Sequence, residues 1–233
     1  MSGENNENLK HLLEEVPAGF LVDSVWLERS GIGHRSSYYY VKRGWLERLA
    51  RGVFRRPAPN VSRANTVGWK TAMLSLQHIM DRPIHVGGIT ALGLQGYSHY
   101  LPLGGHSLVW LYGNTIPNWL IKLPIDVRLE TRRKTLFADP TLGLTEEGEG
   151  GIQASRTSLP WDWTLSMSTP ERAILEAIDE LPEHESFHNL DRVFESLTTL
   201  RPKLVSALLH DCKKIKVKRL FFVFADRHSH AWR

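Results

Sequence analysis

The segment from Arg29 to Arg56 constrains this chain more than any other. Ser30-Gly31-Ile32-Gly33 reads as a tight turn, and His34–Arg43 as a helix. Gly44 stands where a helix end wants a left-handed residue. Trp45–Leu49 reads as a strand, Ala50-Arg51-Gly52 as a turn and Val53–Arg56 as a returning strand. Upstream, Leu9, Leu12, Leu13 and Val16 recur at helical spacing until Pro17-Ala18-Gly19 stops them. Leu21–Arg29 predicts a second short helix, with Val22, Val25 and Trp26 facing inward and Ser24 as N-cap. Three helices followed by a β-ribbon, over Asn8–Pro57, is the element order of a winged helix-turn-helix.

Charge sharpens this reading. The formal net charge is +4, but residues 29–56 hold eight Lys/Arg against one acid, Glu47, and residues 201–233 hold nine against Asp211 and Asp226. The remainder is therefore acidic. Paired with a helix-turn-helix pattern, the first basic segment is the footprint of nucleic acid, because cations on phosphates release condensed counterions.

With Val41 at the centre of the buried face, His34, Ser37 and Tyr38 share its side at 100° per residue. Arg35, Ser36, Tyr39, Lys42 and Arg43 then face outward, without a carboxylate among them. Such a face suits the major groove. Arg48, Arg51, Arg55 and Arg56 sit on the ribbon, placed to grip phosphate, with Arg51 at the tip able to enter a minor groove. An exposed helix followed by an ordinary hairpin is the plain alternative.

The rest of the chain predicts a mixed α/β domain. Helices are expected over 69–80 and 87–96, strands over 107–112, 124–129 and 163–167, and a loop over 136–156. Ser168-Thr169-Pro170-Glu171 opens a helix with Thr169 as N-cap and Pro170 at its first position. Three more helices follow, over 185–197, 201–212 and 213–228. The expected class is α+β: a winged helix-turn-helix over 1–57, a linker over 58–66, and an α/β domain over 67–233 ending in helices.

Catalytic signals are thin. Gly31-Ile32-Gly33 lacks the Gly-Lys-Ser/Thr ending and the preceding strand of a phosphate loop. His228-x-His230 offers two metal ligands without partners, so surface histidines are the better reading. Asp126, Glu130 and Lys134 loosely echo a nuclease, with the two acids on one strand face, although an ordinary strand is commoner. Cys212, the single cysteine, lies beside Leu208 and Leu209 and reads as core. One cysteine excludes an internal disulfide and a cysteine-cluster metal site. No catalytic residue, metal or cofactor is expected. No stretch is apolar enough to span a membrane, and Met1–Lys10 has no signal-peptide core, so a cytoplasmic protein is expected, with a polar, unstructured start at Met1–Asn8.

The run GIGHRSSYYYVKRGWLERLARGVFRRP resembles the N-terminal winged helix of AbiEi-type antitoxins. GGITALGLQGYSHYLPLG, STPERAILEAIDELP and the final TLRPKLVSALLHDCKKIKVKRLFFVFADRHSHAW resemble the second domain of that family and its helical end. The resemblance spans roughly Asn8–Trp232. It implies a type IV, abortive-infection toxin–antitoxin system. The antitoxin represses its own promoter by binding inverted repeats through the winged helix. It also neutralises a nucleotidyltransferase toxin without a stable complex. The resemblance carries no single residue for neutralisation, and it leaves room for a tail beyond Arg233.

Two alternatives stay open at this level. One is a nuclease or nucleotide-processing enzyme guided by its winged helix, which needs a convergent acidic cluster. The other is a regulator whose second domain senses a small ligand. The second basic segment is also open. Lys213, Lys214, Lys216, Lys218 and Arg219 crowd the start of a helix, where the dipole disfavours cations. An external polyanion or acidic partner would explain them, and so would neutralisation of the acidic middle of the chain.

Overall fold

The structure is a computed structural model that describes residues 2–58, 66–97, 107–145 and 162–232. Contacts divide the chain into two compact units. The first holds Met1–Pro83, Thr115–Val127 and Ala154–Leu165; the second holds Ile84–Asn114, Arg128–Gln153 and Ser166–Arg233. The sequence placed a linker at 58–66, of which 59–65 lie outside the described residues.

In the first unit, α1 (Ser2–Glu15) is followed by β1 (Leu21–Asp23), α2 (Ser24–Arg29), α3 (His34–Lys42), β2 (Glu47–Ala50) and β3 (Val53–Arg55). This is the expected winged helix-turn-helix, with two corrections. The helix α1 begins at Ser2, in the stretch read as unstructured. Leu21–Asp23 is a strand, not the first turn of a helix, and makes a three-stranded sheet in the order β1-β3-β2. Its register, Leu21↔Arg55, Val22↔Phe54 and Asp23↔Val53, is set by a partner thirty or more residues on, and three residues are too few to show a period of two. Asp23 replaces Ser24 as the cap of α2: its Oδ1 accepts from the Trp26 N–H at 2.8 Å.

Gly44 has φ +76, as expected for the residue after α3. Gly52 closes the wing with φ +74, and a Cβ there would stand 3.1 Å from Ser24 Oγ. The core beneath joins Leu12 of α1 and Val16 just after it with Trp26, Leu27, Ile32, Tyr40, Leu46, Val53 and Phe54.

α4 (Trp69–Leu74), continued by a π turn at Ser75–Ile79, belongs to the same unit. Ser75 Oγ accepts the Leu21 N–H at 3.0 Å and donates to Thr71 O at 2.7 Å, so it satisfies the free edge of β1. Arg82 reaches Asp23 Oδ2 at 3.3 Å.

The second unit is built on β4 (His85–Val86), β5 (Leu108–Tyr112) and β6 (Arg128–Arg132), in that order. β4 and β5 are antiparallel, β5 and β6 parallel. The strand expected over 124–129 thus begins four residues later than read. The strand expected over 163–167 is absent; Met167 and Ser168 make only isolated bridges, to Val86 and Leu144. α5 (Gly88–Leu94) packs on α6 (Pro170–Asp179), and α7 (Phe187–Ser196), α8 (Pro202–Asp211) and α9 (Ile215–Arg227) complete the helical end near the expected bounds. Phe194 of α7 and Phe221 and Phe224 of α9 share the core with Leu208 and Cys212. Among the described residues, no helix is long and apolar enough to cross a membrane.

Candidate nucleic-acid interface

The turn between α2 and α3 is locked from both sides. The N–H groups of Ser30, Gly31 and Ile32 return to the carbonyls of Trp26, Glu28 and Leu27, and Asn8 Nδ2 donates to Gly31 O. Ile32, 1% exposed, anchors it in the core. α3 then starts without a side-chain cap and without an acid in its first turn. No acid of its own first turn offsets its positive dipole end.

The inward face of α3 is Ser37 and Tyr40, not a face centred on Val41. Tyr40 is 1% exposed, and burial raises its hydroxyl above the usual tyrosine range. The shift rotates the outward face. Arg35, Tyr39, Lys42 and Arg43 are exposed as expected, and Ser36 is half-buried. His34 and Tyr38 are exposed too, although the sequence placed them inward. Three consecutive tyrosines offer no polar–apolar contrast, so the pattern could not say which one enters the core. Arg43 lies over the Tyr39 ring, 5.2 Å from its centroid, which holds both side chains on one surface.

His34, Tyr38, Val41, Arg48 and Arg51 line a cleft of about 580 Å³ between α3 and the wing, with Glu28 on its wall. Arg48 and Arg51 are exposed on the wing, so its cations face outward at strand and tip. The other two ribbon arginines do not. Arg55 is buried and donates from Nε and Nη2 to Glu47 Oε2 at 2.9 and 2.7 Å. Arg56 donates to Leu13 O and Val16 O, both at 2.6 Å, tying β3 to the end of α1. Both guanidinium groups are thus engaged within the unit, unlike those of the exposed Arg48 and Arg51.

The second basic segment is likewise mostly engaged. Lys214 Nζ bridges both carboxylate oxygens of Asp179, at 2.8 and 2.7 Å. Lys216 Nζ donates to Leu181 O at 2.6 Å and Asp179 O at 3.3 Å, at the carbonyl end of α6, where a cation is favoured. Lys218 Nζ reaches His210 O at 3.4 Å. Lys213 and Arg219 are exposed. Asp179 neutralises Lys214, and backbone carbonyls hold Lys216 and Lys218.

The second unit also holds a buried polar cluster that the sequence did not reveal. Glu176, 1% exposed, accepts from Arg172 Nε at 2.8 Å, His85 Nε2 at 3.1 Å, Ser168 Oγ at 2.7 Å and the Gly88 N–H at 3.0 Å. Burial alone would raise this carboxyl; His85 and Arg172 outweigh it and bring it down to about 2. Burial lowers His85 against the pull of Glu176. Its Nδ1 is buried without a partner, which fits a neutral ring donating from Nε2. Arg172 also donates to Pro140 O and Leu142 O and lies over the Phe137 ring. The charges are spent on each other and on the backbone. The arrangement pins α6 to β4 and to the start of α5. Sequence spacing shows only Arg172 and Glu176 as an i, i+4 pair; His85 is brought in by the sheet.

The nuclease echo does not assemble. Asp126 precedes β6 and caps α4, accepting from the Trp69 N–H at 2.8 Å. Glu130 pairs with Arg128 at 2.8 Å and Arg132 at 3.8 Å. Lys134 is half-buried, and burial lowers it. His228 and His230 bind Asp191 Oδ1 and Phe194 O, and so dock the C-terminal segment on α7. Cys212 is in the core, where burial raises its thiol.

Two family models match in series. Residues 5–103 match the transcriptional regulator, AbiEi antitoxin N-terminal domain, and residues 106–233 match the transcriptional regulator, AbiEi antitoxin, type IV toxin–antitoxin system. The chain belongs to the AbiEi antitoxin family of transcriptional regulators. No curated protein matches it. Among solved structures, the RV2827C protein from Mycobacterium tuberculosis is similar in fold, with a TM-score of 0.53 at 14% identity, over 97% of this chain and 78% of that one. For an AbiEi antitoxin, the cleft between α3 and the wing is the candidate DNA interface.

Proposed function

We propose that the chain binds double-stranded DNA at inverted repeats in its own promoter, represses transcription there, and neutralises a nucleotidyltransferase toxin in the cytoplasm. It does so as a binding protein without a catalytic step or a stable toxin complex. The observation that carries the DNA reading is the set of exposed cations on α3 and the wing. Arg35 and Lys42 on α3, Arg43 at its end and Arg48 and Arg51 on the wing face solvent, the last two at the cleft, while the wing's own acid, Glu47, is paired with Arg55. In this reading α3 enters the major groove, where Arg35 and Arg43 read guanine and Tyr39 orients Arg43. Arg48 and Arg51 take phosphates on either side, as positioning contacts.

Footprinting on the DNA upstream of the coding region tests this reading. It should show two protected half-sites related by a two-fold axis. Protection of no defined site at moderate salt contradicts the repressor reading. Co-expression with the neighbouring gene tests the second activity, and rescue of growth from a nucleotidyltransferase toxin is the expected outcome.

A further inference from the structure

We infer that the cleft between α3 and the wing seats one sugar–phosphate strand of the bound duplex, gripped between the Tyr38 hydroxyl and Arg48. The inference rests on the DNA reading of α3 and deepens it, because it assigns the cleft its occupant and adds Tyr38 as a positioning residue. Steps of 100° divide the outer face of α3 around the buried Ser37 and Tyr40. Arg35 and Lys42 lie opposite that buried side. Tyr39 and Arg43 fall on one flank, His34 and Tyr38 on the other. His34 and Tyr38 line the cleft, whereas Arg35, Tyr39, Lys42 and Arg43 do not. The cleft therefore lies beside the reading face. When a helix occupies the major groove and a wing is directed at the neighbouring minor groove, one backbone strand runs between them, since that strand divides the two grooves. The cleft is where it must pass.

The walls suit a phosphate. Tyr38 is 67% exposed, and among the described residues its hydroxyl has no hydrogen-bond partner. A phenol that donates to a phosphate oxygen fixes position without reading sequence. On the facing wall Arg48 and Arg51 are exposed, and among the described residues neither has a carboxylate partner. Arg48 Nε reaches Ala50 O, at 3.4 Å, which leaves the rest of its guanidinium to solvent. Glu28 is the one carboxylate in the lining; it stands on the α2 side, exposed and without an ion-pair partner among the described residues. Its charge repels a phosphate, and so keeps the strand off α2 and against Tyr38 and the wing.

Three variants of the full chain, measured by fluorescence anisotropy on operator and random DNA across a salt series, test the seat. Tyr38→Phe removes only the hydroxyl. It should weaken both DNAs alike, by about two- to ten-fold, with the salt slope unchanged because no charge is lost. Arg48→Ala should also weaken both, and flatten the slope by about one. Glu28→Gln should tighten both by about two- to five-fold. Ethylation of operator phosphates should interfere with wild-type binding. Tyr38→Phe and Arg48→Ala should each lose that sensitivity at one phosphate, the two being neighbours on one strand. All three side chains are exposed, so circular dichroism should show the variants folded. Loss of operator binding alone in Tyr38→Phe puts Tyr38 on a base edge and overturns the inference. So does wild-type affinity in Tyr38→Phe, weaker operator binding by Glu28→Gln, or sensitive phosphates on opposite strands. In each of these cases the wild type still prefers operator, and the DNA reading stands. A wild type without that preference contradicts the DNA reading and removes this inference with it.

Discussion

Arg55 Nη2 donates to Glu47 Oε2 at 2.7 Å across neighbouring strands of the wing. The Glu47 and Arg55 positions also face each other in the strand register. The pair takes the one acid of the basic segment out of play and holds the ribbon that presents Arg48 and Arg51. Arg55→Ala should therefore lower stability by about 1–2 kcal/mol, discounted because Glu47 is partly exposed, and leave the salt slope of DNA binding unchanged. Urea denaturation and mobility shift check this. A flattened salt slope at unaltered stability would return Arg55 to the phosphate-contacting set.

Glu176 anchors the second unit. Glu176→Gln leaves Arg172 buried against a neutral partner and should cost about 3–5 kcal/mol. Gly87→Ala would place a Cβ on Glu176 Oε2 and the Tyr112 ring, and should cost roughly 1–3 kcal/mol through overpacking. Thermal unfolding of both variants measures this. A change within half a degree in either would show that the cluster relaxes freely.

The same cluster sets an acid limit. The Glu176 carboxyl is held below its unfolded value, so its stabilisation is present above the ordinary carboxylate range and is lost as pH falls through about 2. His85 is also lowered, so protons bind the unfolded chain first once pH drops below the ordinary histidine range. Both signs make stability fall with acid, beginning near neutrality. Urea midpoints from pH 7.5 to pH 4 should decline in the wild type and decline at least as much in Glu176→Gln, where His85 stays buried without the carboxylate that raises it. A flat wild-type profile contradicts this.

Lys214, Lys216 and Lys218 should behave as structural residues. Changing all three to Gln should lower stability, by roughly 0.3–1 kcal/mol for each contact at or near a helix end, with DNA affinity unaltered. Calorimetry and anisotropy separate the outcomes. A loss of DNA affinity without loss of stability would restore the polyanion role first considered for this segment.

The elements with internal signals were legible in the sequence. The wing was marked by its turn glycines, α6 by Pro170, and the helical end by apolar spacing; each appears within a few residues of its expected bounds. What depended on distant partners was not legible. Leu21–Asp23 is a strand because β3 returns beside it, and the wing arginines divide into structural and exposed pairs according to where α1 ends and where Glu47 faces. The face of α3 was off by one residue, because Tyr40 and not Val41 is the buried position, and three tyrosines in a row conceal that choice. The Glu176 cluster needed His85, ninety-one residues away in sequence.

The most direct test of the account is fluorescence anisotropy of Arg35→Ala/Arg43→Ala and of Arg51→Ala on operator and random DNA across a salt series, with unfolding temperature measured alongside. The double variant should lose its preference for operator while its unfolding temperature stays within a degree or so, since both side chains are exposed. Arg51→Ala should weaken both DNAs alike and flatten the salt slope by about one. A folded double variant that still prefers operator as the wild type does would contradict the assignment of α3 as the reading helix.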